Sequence, residues 1–122
     1  HSVEAWDPDG KLVGGLYGVC VGGVFSGESM FHLADNASKL CVLHLVDHLK
    51  SRGLHWIDIE TMTPHFAALG AKEIPRQTFL ERLASERQRG LVLFDRPDSP
   101  QSGTGTHADA PENSTETRIS AD

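Results

Sequence analysis

Along the first quarter of the chain, short runs of apolar residues alternate with polar ones and are broken by glycine. Val3 and Ala5 stand two apart, the period of a strand with one buried face. Asp7-Pro8-Asp9-Gly10 follows with the Pro and Gly of a tight reversal. Lys11 to Phe25 then reads as a second and third strand, interrupted by Gly14-Gly15 and Gly22-Gly23. Glycine inside a strand marks a bulge, a bend or a close backbone approach, and the second pair is expected to turn a hairpin.

Ser26 to Asp35 reads as a loop, with Asn36 the N-cap of a helix running to about Arg52, its side-chain oxygen accepting a first-turn amide. Leu40, Cys41, Val42, Leu45 and Leu49 cover more than one stripe of that helix, which predicts burial on several sides, and Gly53 supplies a left-handed stop. Leu54 to Glu60 is expected to be a strand, with Ile57 and Ile59 on one face and Trp56, Asp58 and Glu60 on the other. Thr63 or Pro64 opens a short helix through Leu69, ended by Gly70. A last helix, from near Pro75 to about Arg89, has Phe79, Leu80 and Leu83 as its apolar stripe, and Leu91 to Phe94 reads as a final strand. From Arg96 onward large apolar residues almost vanish, so the ordering entropy goes uncompensated and disorder is expected. The expected organisation is one α+β domain over residues 1–95 and a polar tail over 96–122.

Composition narrows this further. With 122 residues, 39% hydrophobic and 23% charged, the chain supports one core. The net charge of −6 excludes broad coating of nucleic acid and leaves room for a local basic patch. Cys20 and Cys41 form neither a Cys-x-x-Cys pair nor a disulfide framework, and no metal site is expected. His44 and His48 stand four apart, but His-Leu-Val-Asp-His lacks the Glu of the zinc-peptidase arrangement. No run of eighteen apolar residues and no signal-like stretch is visible, so the expectation is a cytoplasmic protein without a membrane partner. The first residue is His1, read here as a cut inside a longer chain.

Three stretches carry more specific information: Gly14-Gly15-Leu16-Tyr17-Gly18-Val19; Gly27-Glu28-Ser29-Met30-Phe31 with Asn36-Ala37-Ser38-Lys39 behind it; and Ile57-Asp58-Ile59-Glu60 followed by His65 and Leu69-Gly70-Ala71. With His1-Ser2-Val3-Glu4 and Glu73-Ile74-Pro75-Arg76 they resemble, in order and spacing, the leucyl/phenylalanyl-tRNA–protein transferases, from His1 to about Phe94. The resemblance implies the C-terminal catalytic domain of that family, without its smaller N-terminal domain. It implies a GNAT-like acyltransferase fold with a mixed, mainly antiparallel sheet flanked by helices. The implied reaction moves Leu, Phe or Met from the 3′ end of aminoacyl-tRNA to the N-terminal Arg or Lys of an acceptor protein, marking it for degradation in bacteria. A monomer is expected. The tRNA ester is already activated, so no cofactor is required.

Aminoacyl transfer needs a nucleophilic amine, an ester carbonyl, a route for the amine's proton and protection for the departing ribose oxygen. In the resemblance Glu28 holds the donor's α-ammonium or orders a water, and Asp58 acts with the residue at Glu60 on the attacking amine. The family typically has Gln where this chain has Glu60. Asp58 and Glu60, two apart on one strand face, should repel and raise one carboxyl pKa. Glu60 would then act as a base, or stay protonated and imitate the amide. Leu16, Phe25, Met30, Leu45, Leu49 and Ile57 match the donor side-chain pocket, although each reads equally well as core. Asn36, Ser38 and Lys39, at the start of the long helix, match contacts to the tRNA's terminal phosphates. Two other functions fit the composition: a non-catalytic remnant that binds a peptide or small molecule, and a GNAT-type acetyltransferase using acetyl-CoA. The second lacks its Gly-rich phosphate loop.

Overall fold

The computed structural model describes residues 1–95 and the backbone of strand 116–120. It is an α+β structure built on strands β1 (Ser2–Trp6), β2 (Leu12–Val21) and β3 (Val24–His32), followed by helices α1 (Ala37–Ser51), α2 (Pro64–Ala68) and α3 (Arg76–Arg89), and strand β4 (Glu116–Ser120). The sheet order is β3-β2-β1-β4. β1–β2 and β2–β3 pair antiparallel, and β4 runs parallel to β1.

The turns form for local reasons. The Asp7 carboxylate accepts the amides of Asp9 at 3.0 Å and Lys11 at 2.8 Å, closing the reversal between β1 and β2. Gly22 and Gly23 have φ of 60° and 81°, the double left-handed geometry of a two-residue hairpin whose twist matches its strands. Strand β3 then continues to His32, well into the stretch expected as loop, because every residue from Met30 to His32 still pairs with β2. Its polar, exposed outer residues hid a strand that pairs with β2 on both sides of a bulge at Glu28.

Helix α1 covers one face of the sheet. Val3, Ala5, Leu16 and Phe25 from the strands meet Cys41, Leu45 and Leu49 from the helix in a single core. The approach is close at Gly14, where a Cβ would lie 2.6 Å from the Ala37 Cβ, so only glycine lets the helix start sit on β2. Asn36 occupies the N-cap position but makes no side-chain cap bond. Its backbone is left-handed at φ 64°, a conformation Asn tolerates better than most residues, and this redirects the chain from β3 into α1. Thr63 is a genuine cap: its hydroxyl accepts the Phe66 amide at 3.2 Å.

Two expected strands are absent. Leu91 to Phe94 is irregular, with Leu93 and Phe94 inserted into the core. Leu54 to Glu60 makes only a single parallel bridge, Ser26 to Asp58, alongside β3. The left-handed backbone of Glu60, φ 60°, ends any further pairing. In α3 only Glu86 is buried, and Leu80 of the expected stripe is 42% exposed. The helix is tied at its C-terminal end, where the Glu86 carboxylate accepts Trp56 Nε1 at 3.2 Å and Arg89 Nη1 at 2.8 Å, and Arg89 reaches the Gly53 carbonyl. Within the tail expected to be disordered, Glu116–Ser120 forms β4 on the open edge of β1. Main-chain pairing at an edge needs no large apolar side chain. The rest of residues 96–122 lies outside the described residues.

Candidate active site

The single bridge between β3 and the 54–60 segment organises the site. The Asp58 amide donates to the Phe25 carbonyl at 3.0 Å and the Gly27 amide donates to the Asp58 carbonyl at 2.8 Å. Because the two chains run parallel from Ser26 opposite Asp58, two residues further along Glu28 comes beside Glu60. The Asp58 carboxylate is engaged on both oxygens: it accepts Ser26 Oγ at 2.8 Å and the Glu60 amide at 2.9 Å. The second bond spans Ile59 and holds the amide of the left-handed Glu60, fixing the turn that presents its side chain.

Behind these carboxylates lies a cavity of about 210 Å³. Leu16, Phe25, Met30, Leu45 and Ile57, five of the six expected pocket residues, line it, and Glu28 and Glu60 stand on its polar edge. Leu49 does not. It is 1% exposed and lines a neighbouring apolar cavity of about 300 Å³, one helical turn beyond Leu45. Val42, Ile59, Thr61 and Phe66 also line the first cavity. Ile59 was legible from its alternation with Ile57, but Phe66 is brought in by α2 and carries no comparable signal.

Glu60 has its carboxyl pKa raised above the ordinary glutamate range. The first cause is the charge of Glu28, followed by desolvation, the charge of Asp58 and a hydrogen bond with the Glu28 side chain. The sequence led to a repelling pair of Asp58 and Glu60, but the dominant partner of Glu60 is Glu28, across the parallel bridge. Asp58 is chiefly held by Ser26 and by the turn.

At the start of α1, Asn36 and Lys39 are exposed, whereas Ser38 is 6% exposed. Its position on the inward face of the first turn puts it beside Ala37, which packs on Gly14. His48 Nε2 donates to the Leu93 carbonyl at 2.7 Å and is not paired with His44 on a metal. Among the described residues no group of three or more His, Cys, Asp or Glu could hold a metal ion. No helix among them is long and apolar enough to cross a membrane.

An apolar cavity edged by two carboxylates suits an amino acid whose side chain is apolar and whose α-amine is charged. The profile of the leucyl/phenylalanyl-tRNA protein transferase family matches residues 1–84. The chain belongs to this family. It is 52% identical over 93 residues to a leucyl/phenylalanyl-tRNA–protein transferase of Vibrio campbellii, covering 76% of this chain and 39% of that protein. With the same-named protein of Nitrosospira multiformis it shares 57% identity over 83 residues, covering 68% of this chain and 35% of the relative. With that of Shewanella loihica it shares 54% over 101 residues, covering 83% and 42%. The chain therefore spans about two fifths of the length of these transferases.

Proposed function

We propose that this chain is the GNAT-like catalytic domain of an aminoacyltransferase that moves Leu, Phe or Met from aminoacyl-tRNA to the N-terminal Arg or Lys of an acceptor protein. The observation that carries the reading is the 210 Å³ apolar cavity with Glu28 and Glu60 at its edge, in a chain of the transferase family. An apolar cavity of about 150 Å³ accepts a benzene ring, so this one has room for a leucyl or benzyl side chain. Burying such a side chain contributes about 1.5–3 kcal/mol, which a polar side chain forfeits. Met30, unbranched and only partly buried, adapts the wall to more than one shape.

In this reading the donor side chain fills the cavity and Glu28 receives its α-ammonium. The acceptor's amine attacks the ester carbonyl, a C–N bond forms, and the bond to the ribose oxygen breaks. The amine's proton passes through a water ordered beside Glu28 and Glu60 to the ribose oxygen, which departs as a hydroxyl, so no side chain changes its protonation overall. Glu60 carries a proton in this reading and imitates the family's Gln, the direction in which the charge of Glu28 pushes its pKa. Asn36 and Lys39 are the exposed residues offered to the terminal phosphates of the tRNA.

The test is transfer of labelled Leu from charged tRNA to a peptide starting with Arg, by the full-length protein, with acetyl-CoA as a competing donor. Transfer from tRNA without ATP is expected, and Met30→Asp should abolish it by setting an unpaired charge against the apolar donor. Acetyl transfer, or binding without any transfer by folded protein, would replace this reading.

A further inference from the structure

A second concavity, of about 790 Å³, opens beside the donor cavity, and the two share Ile57, Ile59 and Glu60. One wall is the 56–60 segment with Asp58 and Glu60; the other is α3, where Phe79 and Arg82 follow Arg76 at three-residue spacing along one face. Trp56 bridges them, edge-on to Phe79 with centroids 6.2 Å apart and with the Arg82 guanidinium 6.0 Å from its ring. Lys72 and Glu73 complete the charged lining. Among the described residues, Lys72, Arg76 and Arg82 are exposed and make no ion pair; the salt bridges there are Arg52–Asp95 and Arg89–Glu86.

Resting on the transferase reading above, we propose that this groove takes the acceptor polypeptide beyond its first residue and favours acidic side chains there. The nucleophilic amine must reach the mouth of the donor cavity, and Glu60 stands at the point the two concavities share. From that point the rest of the acceptor has to leave along the surface, and the 790 Å³ groove is continuous with it. The charges are arranged for such a chain. An N-terminal Arg or Lys brings two positive charges to the carboxylates of Asp58 and Glu73, with the Glu60 carboxyl between the two concavities, and the cations of Lys72, Arg76 and Arg82 remain for the acceptor's later residues. A tRNA strand suits the groove less, since a run of phosphates would lie against the carboxylates of Asp58 and Glu73.

Three peptides test this on the full-length protein: Arg-Ala-Asp-Ala-Asp, Arg-Ala-Ala-Ala-Ala and Arg-Ala-Lys-Ala-Lys, each with a common labelled C-terminal extension. Exposed ion pairs are individually weak, so a KM lower by about three- to tenfold for the acidic peptide than for the lysine peptide is expected at low salt. The difference should shrink toward 1 M salt. In Lys72→Glu/Arg76→Glu the order should invert, a ratio measured within one protein and so independent of how much of it is folded. Equal KM for all three peptides, with transfer intact, overturns the inference and leaves the transferase reading standing. A rise in the KM for Leu-tRNA, equal across the peptides, would also overturn it and assign the cations to tRNA. No transfer to any peptide by folded protein removes the reading on which it rests.

Discussion

Asp58 offers the most discriminating substitution, because its two hydrogen bonds assign it a job that differs from proton abstraction. Its carboxylate spans Ser26 Oγ and the Glu60 amide at 2.8 and 2.9 Å, and the residue it holds is left-handed. A left-handed backbone costs a non-glycine residue about 1–2 kcal/mol, and a hydrogen bond to a charged acceptor returns about 1.5–3 kcal/mol. The bond at Asp58 is solvent-exposed, so the lower end applies, and the two terms nearly cancel. Asp58→Ala leaves the turn uncompensated. A deficit of about 1–2 kcal/mol lowers the ratio of formed to open turn about five- to thirtyfold; from a turn about half formed in the parent, occupancy and with it the transfer rate fall about three- to fifteenfold.

Asp58→Asn separates the possibilities. Its amide oxygen still accepts the Glu60 N–H, and the Ser26 hydroxyl rotates to accept from the amide nitrogen. Transfer within about twofold of the parent is therefore expected for Asn, with Ala slower. Both variants should keep the acid limb of the pH–rate profile, since positioning lowers the rate evenly there, and should move the alkaline fall to lower pH, since they remove the Asp58 charge that helps raise the Glu60 pKa. Single-turnover transfer from Leu-tRNA, measured from pH 5 to pH 9 beside thermal unfolding, provides the assay. An Asn variant as slow as Ala, with a flattened acid limb, would show that the carboxylate itself takes the proton. An Ala variant at the parental rate would show that the turn stands without Asp58.

Glu60→Gln should preserve transfer and exceed the parent increasingly as pH rises, because the parent's raised carboxyl loses its proton beside Glu28 and the amide does not; a rate that falls at neutral pH would make Glu60 the base. The linked stability has a definite sign: a carboxyl whose pKa is raised by folding stabilises fully below its unfolded pKa, and that contribution is lost as pH rises through the folded value. Chemical denaturation should therefore show the parent losing ground to Glu60→Gln across that interval, and a pH-independent difference would contradict the Glu28 contact. Gly18→Ala should destabilise the domain by at least about 1–3 kcal/mol, because its Cβ would fall 2.2 Å from the Ser26 carbonyl oxygen and 2.5 Å from Phe25 Cζ. Gly15→Ala, whose nearest neighbour at 3.0 Å is the half-exposed Phe31 ring, should cost less in the same urea titration, and the reverse order would refute the packing argument.

Legibility in the sequence tracks the range of the interaction. Turns set by one residue's chemistry, such as Gly22-Gly23 and Thr63 before α2, were readable because φ and capping are local. The helices were readable too, apart from the exposed stripe of α3. The end of β3 was not, since a ladder with polar side chains satisfies its backbone without leaving an apolar signature. Leu54 to Glu60 shows the same limit with functional consequences. Strand alternation correctly set Ile57 and Ile59 toward the cavity, but it paired Asp58 with Glu60 because only residues two apart along one strand can be compared in a sequence. The structure pairs Glu60 with Glu28, thirty-two positions earlier, through one parallel bridge whose register no local pattern encodes. A mechanism drawn from alternation alone would make Asp58 the proton partner. The bridge instead places Asp58 as the brace of the turn and Glu28 as the neighbour whose charge raises the Glu60 pKa, and the Asn and Gln substitutions test those two parts separately.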